Sequence, residues 1–171
     1  DLFIETALQV IRQHAEISFV WIGGYDRADT EAWVKNRLME TEPGRLIITG
    51  QLPHNPAMML PFDCFLLSSR EDPYPLVVLE AAACGVPACC FSGSGGITDF
   101  VETDAGWQAA DFSVDVMSAL LLQAVSSPVQ LREKGKRARE KVIDRHFNPE
   151  NTLALFRAIT TQTLQQPGAG K

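Results

Sequence analysis

Two acidic residues, Asp72 and Glu80, lie eight positions apart around the start of a segment with a helical pattern. The neighbours of Glu80 are apolar, so its carboxylate either occupies a narrow polar stripe of the helix or is bonded to another group. Ionised carboxylates accept two hydrogen bonds and match the vicinal hydroxyls of a sugar or a ribose. The alternative for the same two residues is a helix N-cap at Asp72 and a solvated helix residue at Glu80.

The residues between the two acids predict an anion site at the start of a helix. Prolines have no N–H donor and favour extended or first-turn positions, so the helix is expected to begin near Pro75. The N–H groups of its first turn, from Leu76, Val77 and Val78, then have no partner within the helix. Unpaired N–H groups with the helix dipole behind them attract phosphate, and a diphosphate suits such a site.

The elements that must position these residues alternate between helix and strand. Helical spacing of apolar residues predicts helices at about 2–15, 28–41, 55–60, 75–84, 97–102, 113–126, 129–143 and 149–164. Short apolar runs predict strands at 17–22, 46–50, 64–68, 87–91 and around 106–108. Continuous apolar strands separated by helices indicate an α/β fold with a doubly wound, Rossmann-like parallel sheet that is covered on both faces.

In such a sheet, ligands bind beyond the carboxyl ends of the strands. The segments that follow those ends are 23–25, 50–52, 68–72 and 92–96. Three of the four are rich in Gly or Ser, and the segment 68–72 carries the first acid. We therefore expect these four segments to surround the site.

The run 69–87, SREDPYPLVVLEAAACGVP, resembles the E-x(7)-E donor-binding motif of retaining GT-B glycosyltransferases of family 4. The resemblance implies that Asp72 and Glu80 act in catalysis, with Asp72 on the hydroxyls of the donor sugar and Glu80 on the ribose of the nucleotide. It implies that the residues between them hold the phosphates, namely Tyr74, Pro75, Leu76 and Val77.

The first acid departs from the family pattern, because the chain has Asp72 where the motif has Glu. An Asp is one methylene shorter, so either Asp72 reaches the sugar after a small shift or the adjacent Glu71 takes its place.

Two loops resemble other parts of the same family. The segment 92–99 is similar to a Gly-Gly-x-x-acid segment, which implies that Gly95 and Gly96 approach the donor through their backbone. An ordinary turn is the alternative for this loop. The run Gly50-Gln51-Leu52 is similar to the family's loop beside the nucleobase.

The resemblance covers nearly the whole chain and implies a donor-binding half of a longer enzyme. We expect residues 1–165 to form a nucleotide-sugar-binding domain and residues 166–171 to be a flexible tail. The family places a strand with a basic Arg and Lys pair before the first helix, and an acceptor-binding N-terminal domain before that. We expect these parts to lie upstream of Asp1, and residues 1–171 to be inactive alone, because the catalytic cleft lies between two domains.

The composition is that of a globular protein, with 46% hydrophobic and 21% charged residues. A net charge of −6 disfavours nucleic acid as a partner. No signal peptide or membrane-spanning run is visible, which favours a cytoplasmic location, with peripheral contact of the whole enzyme at the inner face of the membrane as a further option.

Other residues have simpler interpretations. The three histidines lack metal-ligand spacing and no Asp-x-Asp is present, so we expect no metal, and no cofactor besides the donor itself. Four cysteines without a C-x-x-C pair predict buried, reduced thiols. We expect Trp21, Trp33 and Trp107 in the core, and the charged run 131–141 to be a solvated helix face.

Two other functions are consistent with the same architecture. One is a different enzyme class, a nucleotide-sugar epimerase or a phosphorylase, although no candidate pyridoxal lysine stands out. The other is a non-catalytic binding module of the same fold. Replacing Glu80 by Gln separates these hypotheses, because a structural role leaves both transfer and donor affinity unchanged.

Overall fold

In a computed structural model of the protein, residues 1–151, 153–154 and 157 are described. The helices are α1 Leu2–Gln13, α2 Ala28–Leu38, α3 Leu76–Ala83, α4 Thr98–Val101, α5 Val114–Val125 and α6 Pro128–His146, with a 3₁₀ helix at Pro56–Met59. The strands are β1 Phe19–Trp21, β2 Leu46–Ile48, β3 Phe65–Leu66, β4 Ala88–Phe91 and β5 Gly106–Ala109. The predicted helix at 149–164 lies largely, and the tail 166–171 wholly, outside the described residues.

Every pair of neighbouring strands is parallel, which confirms the predicted fold class. β1 pairs with β2, with Phe19 opposite Leu46. β3, β4 and β5 pair in that order, with Phe65 opposite Ala88 and Cys89 opposite Trp107. The expected single sheet is therefore divided into a two-stranded and a three-stranded part.

Helices cover both faces of the three-stranded part, as the apolar pattern of β4 predicts. Alternate residues of β4 point to opposite sides, and all four are buried. Cys89 and Phe91 pack in a core with α1 and α5, whereas Ala88 and Cys90 pack in a second core with α3, α4 and α6. This arrangement of two cores around one sheet places the ends of β3 and β4 beside the first turn of α3.

A slot separates the two parts of the sheet. It is a cavity of about 820 Å³ lined by residues 16–22 on the β1 side and 61–69 on the β3 side. The N–H groups of Phe65 and Leu67 bond to β4, so the polar backbone of Leu66 faces the slot. By the same alternation the backbone of Val20 faces it from β1, because the N–H of Phe19 bonds toward β2. Among the described residues, no strand pairs with either of these edges.

The inward face of α2 differs from the prediction. Val34 is buried, whereas Trp33, which was expected in the core, is exposed. Met39 is 83% exposed and already lies past the end of the helix. Trp107 is buried as predicted, whereas Trp21 is 40% exposed at the end of β1.

Within the part of the chain that the structure describes, no single helix has the length and apolarity to cross a bilayer. α5 and α6 meet that criterion only when taken together, and they are bent by 98° relative to each other. The apolar face of α5 is occupied by packing, since Met117, Leu121 and Ala124 are buried in the core with α1.

Candidate functional site

The first turn of α3 presents free backbone donors, as the two prolines predict. Pro75 is the N-cap residue with extended backbone (ψ 113°), and no side chain caps the helix. Among the described residues, no acceptor is recorded for the N–H of Leu76 or Val77. Val78 differs from the prediction, because its N–H bonds to the carbonyl of Pro75 at 3.1 Å. Two amides therefore remain to bind an anion, not three.

The loop before α3 is joined to the loop after β4 by two backbone hydrogen bonds. The N–H of Asp72 donates to the carbonyl of Ser94 at 2.8 Å, and the N–H of Gly96 donates to the carbonyl of Pro73 at 2.9 Å. We call residues 72–75 and 93–96 the paired loops. Both follow strand ends of the three-stranded part, so the structure brings together two of the four segments that the sequence placed at the carboxyl edge.

Gly95 is the point of closest approach between the paired loops. A β-carbon built on it would lie 1.8 Å from the carbonyl oxygen of Asp72, and its φ is 138°, a conformation that side chains other than that of Gly rarely adopt. The backbone of Asp72 occupies the space where a side chain at this position would lie.

The two candidates for the first acidic position face different cavities. Asp72 is half-buried and lines the slot together with Val77. Glu71 is exposed and lines a second cavity of about 590 Å³ with Trp21 and Arg70. The guanidinium of Arg70 forms a salt bridge of 2.7 Å with Asp1 in that cavity. Of the two acids, Asp72 therefore lines the same cavity as Val77 in the first turn of α3.

Glu80 lies in the second turn of α3, with 28% of its side chain exposed. Its carboxylate oxygen is 3.4 Å from Nε2 of His54. The carboxylate of Glu80 is neither buried in the core nor fully solvated, because it extends from α3 toward His54 in the loop that follows β2.

The loop after β2 reaches α3 through His54 and not through the residues predicted for it. Gly50, with φ 72°, forms a bridge to Gly23, and this pairs the loops that follow β1 and β2. Gln51 extends from this bridge toward Gly24, and Leu52 is 47% exposed to solvent. These residues form an open rim of the same loop, in which His54 contacts Glu80.

Tyr74 connects the paired loops to α6. Its ring lies against Gly96, where an added β-carbon would be 3.2 Å from the ring edge. Its hydroxyl is hydrogen-bonded to Nε2 of His146 at 3.1 Å. Burial raises the pKa of Tyr74, and burial followed by the charge of Arg145 lowers the pKa of His146. Both groups are therefore neutral near pH 7, so the hydrogen bond joins two uncharged groups.

The charged run on α6 is solvated only in part. Lys136 and Glu140 form the expected exposed i,i+4 pair at 3.9 Å. Lys141 is only 3% exposed, and its ammonium group binds Glu102 at 2.7 Å and Asp104 at 2.6 Å. The prediction of a wholly solvated face is therefore wrong at Lys141, which fastens α6 to the segment between α4 and β5.

Two histidines near the predicted motif had no signal in the sequence. His54 is 26 residues from Glu80, and His146 is 72 residues from Tyr74. No spacing rule connects positions so distant, so only the fold could assign these contacts. Within the described residues, no cluster of three or more His, Cys, Asp or Glu side chains is arranged to hold a metal ion.

Comparisons with known proteins concern the family and the fold of the chain. The sequence profile of the family described as glycosyl transferases group 1 matches residues 1–142. N-acetyl-alpha-D-glucosaminyl L-malate synthase of Bacillus anthracis is 29% identical over 139 residues, which cover 81% of the chain. The chain spans only 35% of the length of that relative.

Solved structures show the same fold at low sequence identity. A mutant of S. aureus TarM, in complex with fondaparinux, alpha-GlcNAc-glycerol and UDP, superposes with a TM-score of 0.80 at 22% identity, covering 92% of this chain and 32% of TarM. Anabaena HepE in complex with UDP superposes with a TM-score of 0.80 at 14% identity, covering 91% of this chain and 44% of HepE.

Proposed function

The chain belongs to the glycosyl transferases group 1 family and has the fold of one Rossmann-like half of a GT-B enzyme. On this basis we propose that it binds the nucleotide-diphosphate-sugar donor of a retaining glycosyltransferase. The reaction would transfer a hexosyl group to a glycan or a lipid-linked acceptor. No metal or other cofactor takes part in this proposal.

One observation carries the proposal. The free amides of Leu76 and Val77 lie at the carboxyl edge of the sheet, between Asp72 and Glu80. Two N–H donors at the positive end of a helix suit a diphosphate. The diphosphate of the donor joins a sugar to a ribose. The carboxylate of Asp72 suits the hydroxyls of the sugar, and the carboxylate of Glu80 suits those of the ribose. The open rim of Gly50, Gln51 and Leu52 then lies beside the nucleobase.

The same groups would serve the chemical step. As the acceptor oxygen bonds to the anomeric carbon, the bond from that carbon to the diphosphate oxygen breaks, and negative charge develops on the departing nucleoside diphosphate. Fixed N–H donors stabilise such charge. The acceptor proton passes to the departing phosphate, and attack from the face that the phosphate leaves retains the configuration.

The bound UDP of TarM and HepE supports uridine diphosphate as the first probe. We expect UDP to bind the native full-length gene product in calorimetric titration, with GDP tested in parallel and UMP as a control that lacks the second phosphate. Glu80→Gln should weaken UDP binding about tenfold, because a charged acceptor of two hydrogen bonds is lost. Absence of binding of both diphosphates at millimolar concentration would contradict the proposal.

The slot supports a second part of the proposal, a further parallel strand between β1 and β3 from a polypeptide segment outside residues 1–171. The exposed edges at Val20 and Leu66 are compatible with such a strand. In the native gene product the amides of Val20 and Leu66 should then be protected from hydrogen exchange. Rapid exchange at both positions would exclude the strand.

A further inference from the structure

The contact between Tyr74 and His146 joins the first of the paired loops to the last turn of α6. Tyr74 is the residue between Pro73 and the N-cap of α3, so its orientation constrains the turn from which the free amides project. Its hydroxyl meets Nε2 of His146 at 3.1 Å. The two rings also pack together, with centroids 5.7 Å apart.

His146 is held in a defined place on its other side. Its ring contacts Phe100 with a centroid distance of 6.0 Å, and Phe100 is only 1% exposed. Phe100 belongs to α4, the helix that follows Gly95 and Gly96. His146 therefore contacts Tyr74 of the first paired loop and the helix that begins after the second.

The last two turns of α6 are fastened to the same region. Lys141 binds Glu102 and Asp104 on the segment that follows α4. The guanidinium of Arg145 donates to the carbonyl of Asp99 at 3.1 Å. These bonds fix the end of α6 relative to α4. His146 is therefore a hydrogen-bond partner of fixed position for the hydroxyl of Tyr74.

We propose that His146 is a positioning residue of the donor site, which acts through Tyr74 on the amides of Leu76 and Val77. This inference rests on the proposed function, since the ligand it concerns is the nucleoside diphosphate. The loop has few other restraints on this side, because α3 has no side-chain N-cap and Leu76 is 69% exposed. Without this hydrogen-bond partner, Tyr74 and the first turn of α3 gain alternative orientations, and the diphosphate must select the correct one.

The test compares His146→Ala, His146→Gln and Tyr74→Phe in the native full-length gene product. Tyr74→Phe loses only the hydrogen bond, whereas His146→Ala loses the hydrogen bond and the ring contacts, and each should raise the Kd for UDP about fivefold. Gln offers an amide in place of Nε2 and should restore the Kd to within about twofold of the wild type. His14→Ala is the matched control, because the side chain of His14 pairs with the exposed Glu16 at the end of α1, and its loss should leave the Kd unchanged.

Steady-state kinetics separate positioning from a merely structural role. In His146→Ala we expect a higher KM for the donor and a lower kcat, with the KM for the acceptor unchanged. A parallel loss of activity and of folded protein, without rescue by Gln, would overturn the inference. So would a Kd for UDP equal to that of the wild type.

A readout without ligand distinguishes failure of this inference from failure of the proposed function. Hydrogen exchange at the amides of Val78 and Gly96, which are bonded to the carbonyls of Pro75 and Pro73, should be about fivefold faster in His146→Ala than in the wild type, in the absence of any nucleotide. If the wild type binds no nucleoside diphosphate, the proposed function fails whatever the exchange shows. If the wild type binds UDP but exchange and Kd do not change in the variant, only the role of His146 fails.

Discussion

A β-carbon added to Gly95 would lie 1.8 Å from the carbonyl oxygen of Asp72. No heavy atoms approach so closely without covalent bonding, so the two loops can keep their present spacing only with Gly at this position. The hydrogen bonds on either side, from Asp72 to Ser94 and from Gly96 to Pro73, depend on the same spacing. Gly95 therefore sets the distance between the first acid of the motif and the loop after β4.

Gly95→Ala should separate the paired loops and move Asp72 away from the first turn of α3. We expect the variant to lose about 3 kcal/mol of unfolding free energy through the displaced backbone and the unfavourable φ of 138°. UDP binding should fall at least tenfold. Urea denaturation and calorimetric titration measure the two effects.

Gly93→Ala is the control in the same loop. Its φ of 79° is also unfavourable for Ala, but no atom lies within 4 Å of the added β-carbon. It should lose only about 1 kcal/mol and retain UDP affinity. Equal effects in the two variants would mean that backbone conformation, not the contact with Asp72, explains the need for Gly95.

The helices and strands can be predicted well from the sequence. For β4, a continuous apolar run indicates a strand that is buried on both faces, as in a covered parallel sheet. The sequence also predicts that α3 begins at Pro75, since the missing N–H of Pro excludes it from a helix interior. Both features depend on residues that are close in sequence, where hydrophobic periodicity and backbone chemistry are sufficient.

The contacts that complete the site could not be predicted in this way. Lys141 belongs to a charged helical run like those that face solvent, and its burial depends on acids 37 and 39 residues away. The neighbour of Glu80 was missed for the same reason, because His54 reaches it from a loop with no motif of its own. The exposure of Trp33 likewise depends on how α2 packs in the folded chain, which hydrophobic periodicity does not contain.

Lys141→Ala should destabilise the domain by about 2 kcal/mol, because it leaves Glu102 and Asp104 without their central hydrogen-bond donor. The side chain also lies over the ring of Phe100, 5.7 Å from its centroid, and that contact is lost as well. Lys136→Ala, on an exposed turn of the same helix, should change stability by at most about 0.5 kcal/mol. Chemical denaturation of the two variants under one condition tests the difference, and equal stabilities would contradict the role of Lys141.

The same cluster predicts an acid-sensitive part of the stability. The hydrogen bond from Lys141 lowers the pKa of Glu102. Burial would raise the pKa of Asp104, but hydrogen bonds from Lys141 and Arg137 outweigh it and leave that pKa lowered. A carboxyl whose pKa is lower in the folded state stabilises the fold above its ordinary pKa, here 4.5 and 3.8, and this contribution is lost as the pH falls through the folded pKa.

The free energy of unfolding should therefore decline as the pH falls below about 4.5, and the decline should be shallower in Lys141→Ala. Denaturant titrations between pH 6 and pH 3 measure both curves. If the two proteins had parallel curves over this interval, the lowered carboxyl pKa values would have another origin.

The two cysteines of β4 should be inert toward alkylation in the folded protein. Burial raises the pKa of Cys90 to about 12. A hydrogen bond with Cys64, then burial, raises the pKa of Cys89 well above its ordinary value.

At pH 8 we expect iodoacetamide to modify the half-buried Cys84 at least about 100-fold faster than either residue of β4, because the thiolate is the reactive form. Mass spectrometry after timed quenching measures the three rates, and labelling in urea is the control, since all thiols should then react alike.

The choice between Asp72 and Glu71 can be decided by comparing donors with and without the sugar. Asp72 shares the slot side with Val77, whereas Glu71 faces the cavity that holds Arg70. We therefore expect Asp72→Asn to weaken the binding of UDP-glucose or UDP-N-acetylglucosamine, whichever the wild type prefers, about tenfold, because one charged hydrogen-bond acceptor is lost. Glu71→Gln should change that affinity less than twofold.

Both variants should bind UDP as the wild type does, since Asp72 is proposed to contact the sugar and not the nucleotide. The opposite order of the two effects would assign the first acidic position to Glu71, and weaker UDP binding in Asp72→Asn would mean that its carboxylate acts on the loop and not on the sugar.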